Sequence, residues 1–216
     1  MGFTSDQLRE IYHRLDEHFG PLNWWPAESP FEVLVGAVLT QNTNWKNVEK
    51  SIDSLKRANL LSFDTVLDVP EEQLAELIRS SGYYNLKSRR LKNLLEMVKA
   101  EYGGDLSLFF SEDILTAREA LLRVKGIGPE TADSILLYAG GHPIFVVDAY
   151  THRILSRHGL IPESCDYQTV QDLFMDNLDH DATIFNQYHA LLVRTAIRFC
   201  KKREPLCGEC PLGPLL

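Results

Sequence analysis

Three sets of residues in this 216-residue chain have the types and spacing to do chemistry. The first runs from Val124 to Asp148. Gly126-Ile127-Gly128 sets two glycines one residue apart, a pattern that permits a tight turn and a close approach by another backbone. Pro129 follows and suits the first turn of a helix, where its missing N–H is no loss. The run from Thr131 to Tyr138 continues as that helix. Backbone N–H groups at a helix start beside glycine can hold a phosphate, and Lys125, on the other side of the turn, can meet one too. Twenty residues beyond Gly128, behind the apolar run Phe145-Val146-Val147, stands the carboxylate of Asp148. A lone Asp in that place is also a favoured N-cap for a helix over Ala149–His158. The second set is the aromatic knot Trp24-Trp25-Pro26, in a loop. The third is Cys200-x6-Cys207-x2-Cys210. Three close cysteines without a secretory signal point to a metal rather than to disulfides; zinc and free thiols are the alternatives. Cys165 stands apart from them in sequence and reads as a free thiol.

The elements that must position these residues read as helices almost throughout. Apolar residues recur at helical spacing at Leu8, Ile11, Tyr12, Leu15 and Phe19, and Gly20-Pro21 stops that helix. Phe31 to Thr40 is apolar nearly all round, as in a buried helix. Further helices are predicted over Trp45–Ala58, from Ser62, from Pro70, over Lys87–Tyr102, Ile114–Val124, Ala149–His158, Tyr167–Asn177 and Asp181–Phe199. Strand-type alternation is nearly absent, and Ile144–Val147 is too short to build a sheet. The fold class is all-α. Hydrophobic residues at 44% and charged residues at 24% are ordinary for a soluble globular protein. No apolar run is long enough for a bilayer and no signal peptide is visible, so a cytoplasmic setting and no membrane partner are expected. The net charge of −8 runs against the basic domain expected for nucleic-acid binding. Phosphate contacts need only a local positive face, however. Two basic clusters could supply one: Lys87, Arg89, Arg90 and Lys92, then Arg194, Arg198, Lys201, Lys202 and Arg203. Either alone reads as a solvated helix face.

Taken in order, Leu122-x-x-Lys125-Gly126-Ile127-Gly128-x-x-Thr131-Ala132 followed by Val146-Val147-Asp148-x-x-x-x-Arg153 resembles the helix-hairpin-helix and Gly/Pro-Asp signature of the endonuclease III superfamily of DNA glycosylases. The resemblance implies two helical lobes with the active site in the cleft between them. A middle lobe would span about residues 28–138, with 1–27 and 139–216 forming the second. It also makes Asp148 the catalytic carboxylate. Cleaving an N-glycosidic bond builds positive charge on the sugar, which a carboxylate beside it stabilises. Bifunctional members carry, two positions after the second hairpin glycine, a lysine that forms a Schiff base. Glu130 stands there instead, so no lyase activity is expected; an acid is also simply favoured at a helix start.

The stretches Asn23-Trp24-Trp25-Pro26, Val38-Leu39-Thr40-Gln41-Asn42-Thr43 and Ser81-Gly82-Tyr83-Tyr84-Asn85-Leu86-Lys87, with the hairpin, look like the 3-methyladenine DNA glycosylase III branch. The similarity spans about Leu22 to His158 and returns at Tyr188-His189. By that resemblance Trp24, Trp25, Pro26 and Trp45 line the base pocket, with Glu130 beside it. Aromatic faces suit a flipped-out alkylated purine, which is cationic. The tryptophans' alternative is core filling. Gln41 falls where the superfamily places a residue that wedges into the gap left by the flipped nucleotide; its alternative is a turn amide. Lys125, Gly126, Ile127, Gly128 and Thr131 would contact the DNA. The cysteine spacing resembles the iron–sulfur loop of endonuclease III relatives, which implies a [4Fe–4S] cluster. The fourth cysteine of that loop would fall at 216, which holds Leu216, so its α-carboxylate would stand where the missing thiolate belongs.

These readings converge on a monofunctional DNA glycosylase of base-excision repair, hydrolysing the N-glycosidic bond of alkylated purines. The expected partner is double-stranded DNA with a damaged base, and the expected state is a monomer in the cytoplasm with the nucleoid. A glycosylase for oxidised pyrimidines or mismatched bases, and a non-catalytic helix-hairpin-helix DNA-binding protein, are the rival readings.

Overall fold

The computed structural model describes residues 5–215. Among them are helices and short 3-10 turns but no strands, so the fold is all-α. None of these helices is long and apolar enough to cross a membrane. The chain divides into two compact units, residues 27–142 and residues 1–26 with 143–216.

The second unit, 1–26 with 143–216, begins with α1 (Ser5–Phe19). It resumes with Pro143-Ile144-Phe145-Val146-Val147, outside any helix and buried from Ile144 onward. Next come α10 (Ala149–Arg157), α11 (Tyr167–Met175) and α12 (Ala182–Arg198), followed by 3-10 turns over Cys207–Glu209 and Gly213–Leu215. Each of the three helices starts under an aspartate: Asp148, Asp166 and Asp181 accept from backbone N–H groups in the first turn. An aromatic cluster forms the core. Phe145 stacks on Phe174 with ring centres 3.7 Å apart, and Phe185 and Tyr188 meet Phe145 edge-on. The fully buried Tyr188 hydroxyl donates to the Leu8 carbonyl at 2.8 Å, which ties α12 to α1. A hydroxyl buried without that acceptor would cost about 1–3 kcal/mol.

The first unit, 27–142, begins with α2 (Pro30–Leu39), buried from Phe31 to Leu39 as its all-round apolar pattern requires. The unit continues with α3 (Trp45–Arg57), α4 (Phe63–Asp68), α5 (Glu71–Leu77), α6 (Tyr84–Tyr102), α7 (Leu106–Phe110), α8 (Ile114–Arg123) and α9 (Pro129–Tyr138), of which α3, α6 and α9 pack on α2. Ser29 caps α2 through the Glu32 amide and Asn44 caps α3 through that of Asn47. Two features depart from the pattern reading. The helix expected from Lys87 starts at Tyr84, because Tyr83 turns the chain with a left-handed φ of 46° and the helix follows at once. The short α7, capped by Asp105, has no clear period of its own and goes unseen in the sequence.

The first basic cluster is a correction too. Lys87 shares the inward face of α6 with Leu91, Leu94, Leu95 and Val98 and is 1% exposed. Its ammonium donates to the Leu39 carbonyl at the end of α2 and to the Ser81 carbonyl, both at 2.7 Å. Lys92 likewise donates to the carbonyls of Leu67, at 2.6 Å, and Val69. These cations cap helix ends that would otherwise bury bare carbonyls; they are not a phosphate-facing surface. Burial, aided by the nearby Arg90, lowers the Lys87 pKa to about 8. The second cluster does remain exposed at Arg194, Arg198, Lys201, Lys202 and Arg203.

Candidate active site, hairpin and cysteine loop

Asp148 follows the buried run 144–147 and opens α10. One carboxylate oxygen accepts the Thr151 amide at 2.7 Å; the other lies 3.5 Å from His189 Nε2. Both side chains are buried, at 12% and 7% exposure. Burial alone would raise the carboxyl pKa. The His189 contact and the Thr151 amide outweigh it and hold the group below the usual carboxylate range. Asp148 is therefore an N-cap and a buried, ionised acid at once. Trp24 approaches His189 edge-on, with ring centres 6.3 Å apart. Its indole Nε1 is buried with no hydrogen-bond partner among the described residues. Trp25 sits with a φ of 61°, a left-handed conformation that costs a bulky residue about 1–2 kcal/mol. Pro26 is exposed. The sequence reading attached no function to His189, although Tyr188-His189 stood in the resemblance.

In the 27–142 unit the glycine hairpin joins α8 to α9. Gly126 has a φ of 100°, and a Cβ there would fall 2.5 Å from Arg90 Cγ, so glycine is required on both counts. Gly128 is extended and its Cβ position is open. No side chain caps the start of α9. The turn thus presents bare backbone at a helix N-terminus, with the exposed Lys125 beside it. Ile127 is buried at 6% exposure and can offer only its backbone. Gln41 proves to be a strut of this turn. Its amide nitrogen donates to the Gly126 carbonyl at 3.1 Å and to Thr131 Oγ1 at 3.0 Å, while its oxygen accepts from Arg90 Nη1 at 2.5 Å. Arg90 and Gln41 hold the hairpin from below, a link invisible in sequence because 49 positions separate them. Glu130 is exposed in the first turn of α9, and Trp45 is half-buried at the start of α3.

Residues 35–180 match the model of the HhH-GPD superfamily base excision DNA repair proteins. The chain belongs to that superfamily. A candidate DNA repair glycosylase of Methanocaldococcus jannaschii is 47% identical over 208 residues, covering 96% of this chain and 94% of that one. Among solved structures, H. pylori 3-methyladenine DNA glycosylase bound to 1,N6-ethenoadenine superposes with a TM-score of 0.78 at 29% identity, covering 91% of this chain and 98% of the other. A non-covalent endonuclease III–DNA complex gives 0.83 at 25% identity, with 99% and 95% covered.

In the second unit of this superfamily member, Cys200, Cys207 and Cys210 line one cavity of about 220 Å³ together with His158 and Arg157. Burial pushes the Cys210 thiol up, and the neighbouring Cys200 and Cys207 add to that, so the three sulfurs sense one another. Among the described residues no three His, Cys, Asp or Glu side chains converge on one point as ligands of a single ion. Leu216, expected to supply a carboxylate, lies outside the described residues. The donor types around the cavity, three thiols and an imidazole, fit an iron–sulfur group. Cys165 is not part of this wall.

Proposed function

We propose that this base-excision DNA glycosylase is monofunctional and releases alkylated purines of the 3-methyladenine type. The observation that carries the reading is Asp148, buried, held ionised by His189 and Thr151, and neighboured through His189 by an indole with an unused donor. A cationic alkylated base is already a good leaving group. As its C1′–N bond breaks, the base takes the electron pair and leaves neutral, and the sugar becomes cationic. The Asp148 carboxylate stabilises that charge. Water adds to C1′ and gives up a proton, leaving an intact abasic strand. The hairpin backbone and Lys125 grip the phosphate, and the faces of Trp24 and Trp25 with Pro26 receive the base. The resemblance to the 3-methyladenine enzyme solved with 1,N6-ethenoadenine supports this substrate class.

Glu130 in the first turn of α9 supports hydrolysis without a lyase step, since a carboxylate cannot form a Schiff base. Where bound, an iron–sulfur group would supply folding energy to the loop from Cys200 onward. The test is a panel of duplexes bearing 3-methyladenine, 1,N6-ethenoadenine, oxidised pyrimidines or mismatches, each incubated with and without borohydride. Release of alkylated purines with no trapped protein–DNA adduct is expected. Preferential release of an oxidised pyrimidine, or efficient trapping, overturns the reading.

A further inference from the structure

The cysteine cavity lies in the 1–26 and 143–216 unit, and its donors outnumber the cysteines. We propose that His158 is the fourth ligand of an iron–sulfur cluster held by Cys200, Cys207 and Cys210. The inference goes beyond the glycosylase reading, and its measurements are independent of base release.

Four observations carry it. First, His158 lines the same cavity as Cys200, Cys207 and Cys210, and among the described residues no carboxylate lines it. Second, His158 ends α10, with its backbone N–H on the Ile154 carbonyl at 3.1 Å, so the ring starts from a fixed element. Third, the arginines beside it hold the cysteine loop in place. Arg153 donates to the Cys200 carbonyl at 2.8 Å, and Arg157 to the carbonyls of Lys201 and Lys202 at 2.7 and 3.0 Å. Arg157 Nη1 also donates to Cys200 Sγ at 3.3 Å. Fourth, these four residues line a single cavity of about 220 Å³. A single zinc ion needs four ligands on one point. A cluster needs each ligand on a different iron, with the space between filled by iron and sulfide. About 220 Å³ is far more than the roughly 10–15 Å³ that holds one water-sized guest. Histidine is an accepted substitute for cysteine on cluster iron.

The experiment uses the full chain, purified without oxygen, as wild type, His158→Ala and His158→Cys. Iron, sulfide and zinc contents, visible absorbance and, on the oxidised and the dithionite-reduced protein, electron paramagnetic resonance with nitrogen hyperfine detection are measured. Wild type is expected to carry about four irons and four sulfides, with nitrogen coupling from a ligated imidazole. His158→Ala should lose at least one iron per chain and take on a three-iron spectrum or bleach. His158→Cys should keep its iron and lose the nitrogen coupling. Full iron and an unchanged spectrum in His158→Ala would overturn the assignment, as would zinc in place of iron or a colourless, metal-free wild type. Should His158→Ala fail to fold by circular dichroism, the wild-type and His158→Cys spectra decide: no nitrogen coupling in the first, or the same coupling in both, refutes it.

Discussion

Replacing Asp148 by Asn separates the charge of this residue from its place at the head of α10. The amide oxygen of Asn can still accept the Thr151 N–H that Asp148 takes at 2.7 Å. Asn and Asp are about equally good caps, so folding stability should fall by no more than about 0.5 kcal/mol. What disappears is the negative charge, in a site where the carboxylate is 12% exposed. A unit charge about 4 Å from a developing sugar cation, at an effective dielectric of about 20, contributes roughly 4 kcal/mol. That converts to a rate loss of about 10³. The assay is single-turnover release of an alkylated purine, with abasic sites quantified after alkaline cleavage, beside a thermal melt of each variant. Lesion-duplex binding should survive, because the hairpin still holds phosphate. Asp148→Ala should lose a similar factor in rate and about a further 1 kcal/mol of stability with the cap. The sign of the pH dependence follows from the depressed pKa of Asp148. Its contribution to stability is complete above the unfolded value of about 3.9 and is lost as the pH falls below that. A folded Asp148→Asn protein within threefold of wild-type rate would remove the carboxylate from the mechanism.

Two other perturbations probe separate parts of the chain. Trp24→Ala should weaken excision of a cationic base by about 1–3 kcal/mol of lost stacking, while binding to undamaged duplex and its salt slope, set by phosphate contacts, stay the same; equal losses on damaged and undamaged DNA would make Trp24 a core residue. Lys87→Met should cost about 2–4 kcal/mol at neutral pH by leaving the Leu39 and Ser81 carbonyls without donors. Since the folded pKa of Lys87 is about 8 against 10.5 unfolded, the unfolded chain binds more protons between those values. Wild-type stability therefore gains on the variant as pH rises from about 8 to 10.5. Denaturant midpoints across that range check it, and a constant gap would contradict the buried amine.

What the sequence determined by itself was whatever local chemistry dictates. The 3.6-residue period places Leu8, Ile11 and Leu15 on one face of α1 whatever they pack against. Asp148, Asp166 and Asp181 announce helix starts because a short acid can reach its own first turn. Gly126 and Gly128, with Asp148 twenty positions later, carry the superfamily signature in an uninterrupted stretch. Tertiary structure decided everything that depends on partners distant in the chain. Lys87 has the composition of a surface lysine, yet the inward face of α6 and the bare end of α2, 48 positions away, turn it into a buried cap. Gln41 reads as a wedge or a turn amide, and only the fold sets it among Arg90, Gly126 and Thr131. His189 becomes the partner that keeps Asp148 ionised across 41 positions of chain because α10 and α12 pack against each other. His158 joins the cysteines only where the chain after α12 folds back onto the end of α10. A period or a motif records what one segment does alone; the charge, burial and available valence of a side chain are set by neighbours that only folding brings to it.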